Sequence, residues 1–385
     1  MRRFCNLLVV VLFLFAVAPV NTRAQNTQGT ISAAGSTFVA TASTPGESSP
    51  TTQNIVSSLS TLPEVDALVY VNPQRILNEV LPKFLPAKDV EGMRRSFEDV
   101  KKNAGIDPTK VDYIVIATRF KKPTADLNFQ APEFMMMASG DFSAESLIVL
   151  ARMASQGRLR EEKYGTKTLG LMTIDPLVKE AQKNPFLNAF TEVAIVTLNA
   201  NTIAAGTPAF LRAAIDAGDG KERIRTETLN SLVRDPNALI SFAGTPWQSF
   251  AKSFGMMGTD ANPRAARCES KMGDIYAALT MDATNFMLRG VMNADNPDTA
   301  KIISKLYSGF LGYAANSIPD ASAQSLLKGF AITSEGDEVL VRADFPQQMV
   351  IDLIKEKMKP KQVDAGAPPP PANPAVKRRR IRRRA

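Results

Sequence analysis

Histidine is absent from all 385 residues. That one absence removes Ser-His-Asp and Cys-His nucleophile systems and the usual zinc ligand sets. Cysteine is nearly absent too: Cys5 lies in the N-terminal leader, which leaves Cys268 for the rest of the chain. One thiol cannot close an intramolecular disulfide, and a thiol without histidine has no obvious base. Cys268 sits in the polar stretch Pro263–Lys271 and reads as an unpaired thiol, with pairing between chains as the alternative. Past the leader, no apolar run approaches the about 20 residues a spanning helix needs. No glycine-rich phosphate loop follows a strand; Gly255-Met-Met-Gly258 lacks the required Lys and Ser or Thr. The sequence therefore assigns no catalytic residue, no metal and no cofactor.

What is present is a repeated punctuation. Asp66-Ala-Leu-Val-Tyr-Val-Asn-Pro73 returns as Asn237-Ala-Leu-Ile-Ser-Phe-Ala-Gly-Thr-Pro246, each a short apolar strand running into a polar residue and a proline. Thr207-Pro208 and Asn296-Pro297 repeat the same ending. Asn or Thr can cap the unpaired N–H groups of a helix, and Pro suits the first helical position, where its missing N–H costs nothing.

Residues 1–24 read as a secretory signal. Arg2 and Arg3 precede the apolar run Leu7–Val17, and Thr22-Arg-Ala24 offers small residues at a cleavage site before Gln25. An uncleaved anchor is the alternative. Residues 25–60 are rich in Ser, Thr, Gly and Ala and read as a disordered linker. The body then divides into a first lobe, 61–235, and a second, 236–360.

In the first lobe, strand Asp66–Val71 leads to a helix with Ile76, Leu77, Val80, Leu81 and Phe84 on one face. A second helix carries Val90, Met93, Phe97, Val100 and Ala104 and stops at Gly105. Strands at Tyr113–Phe120 and Glu133–Phe142 precede a Ser143-capped helix with Leu147, Leu150, Ala151 and Ala154. Strands near Thr168–Ile174, Glu192–Leu198 and Thr202–Ala205 follow, then a helix from Pro208. The second lobe repeats the order. Strand Ala238–Phe242 leads to a helix after Pro246 with Trp247, Phe250, Ala251 and Phe254, then an irregular segment Gly255–Gly273. A hairpin of Ile275–Met281 with Phe286–Met292 comes next, then a helix with Ile302, Ile303, Leu306, Phe310 and Leu311 inward. Gly329–Ser334 pairs with Glu338–Asp344, before a last helix with Met349, Val350, Leu353, Ile354 and Met358. Hairpins imply antiparallel pairing, so the class is α+β: two degenerate repeats of antiparallel sheet with covering helices.

Several short patterns invite chemistry and fail. Ser249-Phe-Ala-Lys252 and Ser325-Leu-Leu-Lys328 share the Ser-x-x-Lys spacing of penicillin-binding proteins, but neither Ser-Asp-Asn nor Lys-Thr-Gly accompanies them. Asp216-Ala-Gly-Asp-Gly with Glu227 lacks oxygen ligands at the third and fifth positions of a calcium loop, and reads as a helix end and turn. Met135-Met-Met137 reads as adaptable core packing within a strand.

The tail carries the functional signal. Residues 361–385 read as disordered: a proline-rich spacer with Pro368 to Pro371 consecutive, then Lys377, Arg378, Arg379, Arg380, Arg382, Arg383 and Arg384. The chain carries +8; without the leader's Arg2, Arg3 and Arg23 it carries +5, and without the tail's seven charges −2. The basicity belongs to the tail alone. A flexible cationic arm attracts phosphate by counterion release, and behind a signal peptide the near partners are lipid headgroups or acidic envelope polymers. Nucleic acid is the other polyanion it would take.

The pattern Leu62-Pro-x-x-Asp66-Ala-Leu-Val, then Leu81-Pro82, then Gly105-Ile-Asp-Pro108 before Val111-Asp-Tyr-Ile-Val-Ile116 resembles an uncharacterised group of exported bacterial, acidobacteria-like proteins. The resemblance implies export and an α+β body; it brings no activity and no site residues. The sequence thus points to a non-enzymatic exported module held at the envelope by its basic arm. A hydrolase with an unrecognised carboxylate or Ser/Lys site, and extracellular nucleic-acid binding by the tail, are the alternatives.

Overall fold

The structure, a computed structural model, describes residues 50–104, 107–120, 132–155, 157–173, 192–245, 272–318 and 321–358. All of them belong to one compact unit, Ser48–Ala385. The strands are β1 (Ala67–Val71), β2 (Val111–Arg119), β3 (Glu133–Gly140), β4 (Arg160–Tyr164), β5 (Lys167–Thr173) and β6 (Glu192–Asn199). They continue with β7 (Thr202–Gly206), β8 (Ile240–Gly244), β9 (Met272–Met281), β10 (Asn285–Ala294), β11 (Phe330–Glu335) and β12 (Glu338–Pro346). All twelve pair into one sheet, β11-β12-β10-β9-β8-β1-β2-β3-β7-β6-β5-β4, and each neighbouring pair is antiparallel. The class is therefore α+β, as the hairpin spacing requires.

β1 and β8 form the seam. Outward from it, one side runs β1-β2-β3-β7-β6 and the other β8-β9-β10-β12-β11, with β5 and β4 added beyond β6. Both strands are short, apolar and almost wholly covered, as central strands are.

Side chains alternate between the two faces of a strand, so each strand feeds two cores. On one face, Leu68, Tyr113, Val115, Met135, Met137, Val196 and Ala204 pack against helix Pro208–Gly218, through Phe210, Leu211 and Ala214, and against Leu229 and Leu232 of helix Thr226–Leu232. Full burial of a side chain such as Phe210 contributes about 1.5–3 kcal/mol. On the opposite face, Phe84, Leu239, Phe286 and Ile351 form one cluster and Ala300, Ile303 and Val339 another. Phe142 and Ala144 with Val100, Val111, Ala138, Leu147 and Ile203 form a third.

The punctuation works as expected at two of its ends. Asn72 Oδ1 accepts from the Arg75 N–H (3.1 Å), and Asn296 Oδ1 from the Thr299 N–H (2.9 Å). Thr207 occupies the cap position of helix Pro208–Gly218 but gives it no side-chain cap. Its hydroxyl turns instead toward the Phe134 carbonyl (3.4 Å), because β7 is tied to β3 at that point. The segment after Pro246, and Gly105, lie outside the described residues.

Three expectations need correction. The linker drawn to residue 60 ends in a helix, Pro50–Leu59, and Leu59 is fully buried in the main core. Ile55, Val56 and Leu59 keep helical spacing inside a Ser/Thr-rich composition, and the average hid the stripe. Strand β4 and helices Thr226–Leu232 and Ala321–Lys328 were not anticipated, since their sequences are polar or short. The long helix Pro297–Ser317 turns Ile303 inward, but Ile302, Leu306 and Phe310 outward. The buried residues Thr299, Ala300, Ile303 and Ser304 centre the inward face beyond Ile303, and Ile302, about 100° to the other side of Ile303, falls off its edge.

Candidate apolar binding site

An apolar groove lies between the sheet and helix Ala144–Ala154. Met136 and Ala138 of β3, Ile195 of β6, and Ile203 and Ala205 of β7 form its floor. Leu147 and Ala151 of the helix form its wall, and it encloses about 380 Å³. That lies within the range of small-molecule sites, about 300–1,000 Å³. No charged or hydrogen-bonding side chain lines it.

Each lining residue is placed by a local rule. β3 alternates, so Met135 and Met137 go to the core while Met136, on the other face, is 47% exposed. The Met triplet thus serves core packing at two positions and the groove at the third, where a flexible thioether suits a variable occupant. The helix starts at Ser143, whose Oγ accepts from the Ser146 N–H (3.2 Å). It ends at Ser155, whose hydroxyl donates to the Arg152 carbonyl (2.7 Å) and accepts from the Leu159 N–H (3.3 Å). Arg152 then pairs with Glu161 of β4. Both ends are held, which fixes the height of Leu147 and Ala151 above the sheet.

The floor continues across the seam. Ile195 pairs with Ala205, Ala205 with Met136, Met136 with Ile116, Ile116 with Val69, and Val69 with Phe242. Ile195, Ala205, Ile116, Val69 and Phe242 are half-buried, so an apolar row runs over six strands without being fully covered. At about 4.8 Å per strand, the row is about 24 Å long.

Ionisable groups take other work. Asp107 is held down at about 2 by the Thr109 hydroxyl and then by Lys101, its partner at 2.9 Å. Burial pushes the Tyr70 and Tyr276 phenols up to about 12. Asp216 accepts from the Tyr164 hydroxyl (2.9 Å) and from Lys221 (2.8 Å), as a helix end and turn would have it. None of these groups lines the groove. Among the described residues, no group of three or more acidic or cysteine side chains could hold a metal.

The structure places Ser325 and Lys328 on the outer surface of helix Ala321–Lys328, both exposed, with no water-excluding site around them. Ser249, Lys252, Cys268, and the tail residues Lys377, Arg378, Arg379, Arg380, Arg382, Arg383 and Arg384 lie outside the described residues. Sequence reading missed the groove, although a signal was present. β3, β6 and β7 are apolar at consecutive positions rather than alternate ones, so both faces must be covered or used.

Among the described residues, no helix is long and apolar enough to cross a membrane. No family model and no curated protein matches the chain. Among solved structures, three crystal forms of a protein designated TP0453 are similar at a distance. Form III is 10% identical with a TM-score of 0.38, covering 77% of this chain and 97% of the other. Forms I and IV are each 9% identical with TM-scores of 0.37, covering 77% of this chain and 96% and 95% of theirs.

Proposed function

We propose that this chain is an exported, non-enzymatic binding protein of the bacterial envelope, whose body takes an apolar ligand and whose basic arm tethers it to an anionic surface. The groove carries this reading. Its seven lining side chains offer shape and apolar area but no group able to move a proton or attack a bond. A slot of this kind suits a linear alkyl group lying along the row from Ile195 to Phe242. The leader at residues 1–24 and the cationic residues Lys377–Arg384 supply export and tethering. The matching strand orders on either side of the seam support descent of the two halves from one duplicated unit, with β4 and β5 a later addition to the first.

A fluorescent fatty acid titrated into the exported chain, Gln25–Ala385, tests the ligand. Saturable binding that Ala205→Phe abolishes supports the reading. Equal binding by both proteins, or none by either, removes it. Fractionation of cells tests the tether. Full-length protein should pellet with membranes at low salt and wash off at high salt, while a form ending at Ala375 stays soluble. If both forms are soluble, the arm is no anchor; salt-sensitive capture of DNA by the full-length form alone would then make nucleic acid the arm's partner.

A further inference from the structure

Of the large apolar side chains the fold leaves exposed, four stand in line on one helix. Ile302 is 55% exposed, Leu306 46%, Phe310 49% and Tyr313 58%. At about 100° per residue they fall within an arc of about 80°, over a length of about 16 Å. They cannot be spare core. The sheet-facing side of the same helix is filled by Ala300, Ile303 and Ala315, with Tyr307 alongside. The outward stripe adjoins the buried face: Phe310 stands about 20° from Ile303 at the inner edge, and Ile302, Leu306 and Tyr313 turn away from the sheet.

Beside the outer face the helix carries one carboxylate, Asp298, and two lysines. After Asp298 the helix holds no acidic residue through Ser317, while Lys301 and Lys305 are exposed on one flank of the stripe. Asp298 approaches Lys301 only loosely, at 3.6 Å, and leaves Lys305 to solvent. Helix Ala321–Lys328, packed against it, is also free of acidic residues and ends on exposed Lys328. An apolar stripe with aromatic residues toward one end and lysines along its edge is the pattern of a helix lying in a membrane surface.

We propose that the outward face of Pro297–Ser317 is a docking surface for an anionic lipid bilayer, inserting Ile302, Leu306, Phe310 and Tyr313 among the acyl chains while Lys301 and Lys305 meet the headgroup phosphates. The proposal deepens the envelope reading and rests on it for where the protein meets such a surface. It gives the body a contact of its own, independent of the arm. A second copy of the chain is the less suitable occupant. A two-fold contact through this stripe would gather four lysines with only two Asp298 carboxylates to offset them, whereas lipid phosphates neutralise the lysines directly.

The arm and the helix separate by salt. Charges on a flexible arm are screened at about 0.5 M salt, where the Debye length falls to a few Å, while burial of apolar side chains persists. The probe is a vesicle of phosphatidylcholine and phosphatidylglycerol, floated with the exported chain Gln25–Ala385. At high salt, Leu306→Ser with Phe310→Ser should reduce partitioning at least about tenfold relative to the parent chain. Both sites are exposed, so an unchanged thermal unfolding midpoint will show that the fold is intact. Lys301→Gln with Lys305→Gln, in a chain whose seven tail cations are also Gln, should lose its preference for phosphatidylglycerol over phosphatidylcholine at low salt. Equal partitioning of parent and double serine variant at both salts overturns the docking face. So does a parent chain that ignores vesicles and self-associates until the serines are introduced. Cytosolic location in cells with vesicle binding intact would instead overturn the envelope reading alone.

Discussion

Val69 of β1 and Phe242 of β8 face each other directly at the middle of the seam that joins the two sides of the sheet. Their neighbours Leu68 and Ala243, and Tyr70 and Ser241, are also partners and point to the other face. Ser241 is buried there and its hydroxyl donates to the Leu232 carbonyl (2.6 Å), tying helix Thr226–Leu232 to the seam. The seam therefore carries packing on both faces at once. Leu68→Ala should lower the stability of the described unit by about 2–5 kcal/mol. Urea unfolding followed by tyrosine fluorescence and by circular dichroism should give coincident transitions, shifted together.

Gly244 closes β8 with φ +149, and a Cβ there would stand 2.2 Å from the Asp66 carbonyl oxygen. Strain and a backbone clash coincide, so Gly244→Ala should cost at least about 1–3 kcal/mol. Gly92, within helix Ala87–Ala104, has open space around it. Gly92→Ala should stabilise by up to about 1 kcal/mol. Opposite shifts of the thermal midpoint check the pair.

Tyr70 stacks on Tyr113 with ring centroids 6.3 Å apart, and its phenol is raised to about 12, first by burial and then by Tyr113 and Asp112. Tyr276 is raised to about 12 by burial as well. An unfolded tyrosine loses its proton near 10, so the stability these groups hold is fully present below about pH 10 and is lost as pH rises through about 12. Tyr70→Phe with Tyr276→Phe should flatten that alkaline fall in a plot of midpoint against pH. Among the described residues, the buried Tyr113 hydroxyl has no hydrogen-bond partner. Tyr113→Phe should be neutral or stabilising by about 1 kcal/mol.

At the acid end the sign reverses. Asp107, with its folded value depressed to about 2, holds stability that is present above its unfolded value of about 4 and lost as pH falls through about 2. Asp107→Asn should lower the midpoint at neutral pH and remove that part of the acid slope. A variant with an unchanged slope would mean that Thr109 and Lys101 do not hold the carboxylate in solution.

Much of the architecture was legible because it rests on neighbours in sequence. Asn72-Pro73 and Asn296-Pro297 announce helix starts, and Asp282-Ala-Thr-Asn285 announces a hairpin because Asp282 accepts from the Thr284 and Asn285 N–H groups (2.7 and 2.6 Å). Apolar residues at consecutive strand positions near Met136 and Ile195 mark strands used on both faces. The groove itself was not legible. It needs β3, β6 and β7 side by side, and β7 reaches β3 only by returning past β6.

The sequence by itself determined many of the described helices and strands, though not Pro50–Leu59, β4, Thr226–Leu232 or Ala321–Lys328, and it determined that pairing is antiparallel and that no histidine-based chemistry is possible. Those follow from periodicity, capping and composition, which act over a few residues. Tertiary structure decided which part of the broad apolar arc on Pro297–Ser317 is buried, and which sides of the strands stay open as the groove. Periodicity fixes that the helix has one broad apolar arc that takes in both Ile302 and Ile303. Only the packing of Ile303 against Val339 decides that Ile302 is left for something else.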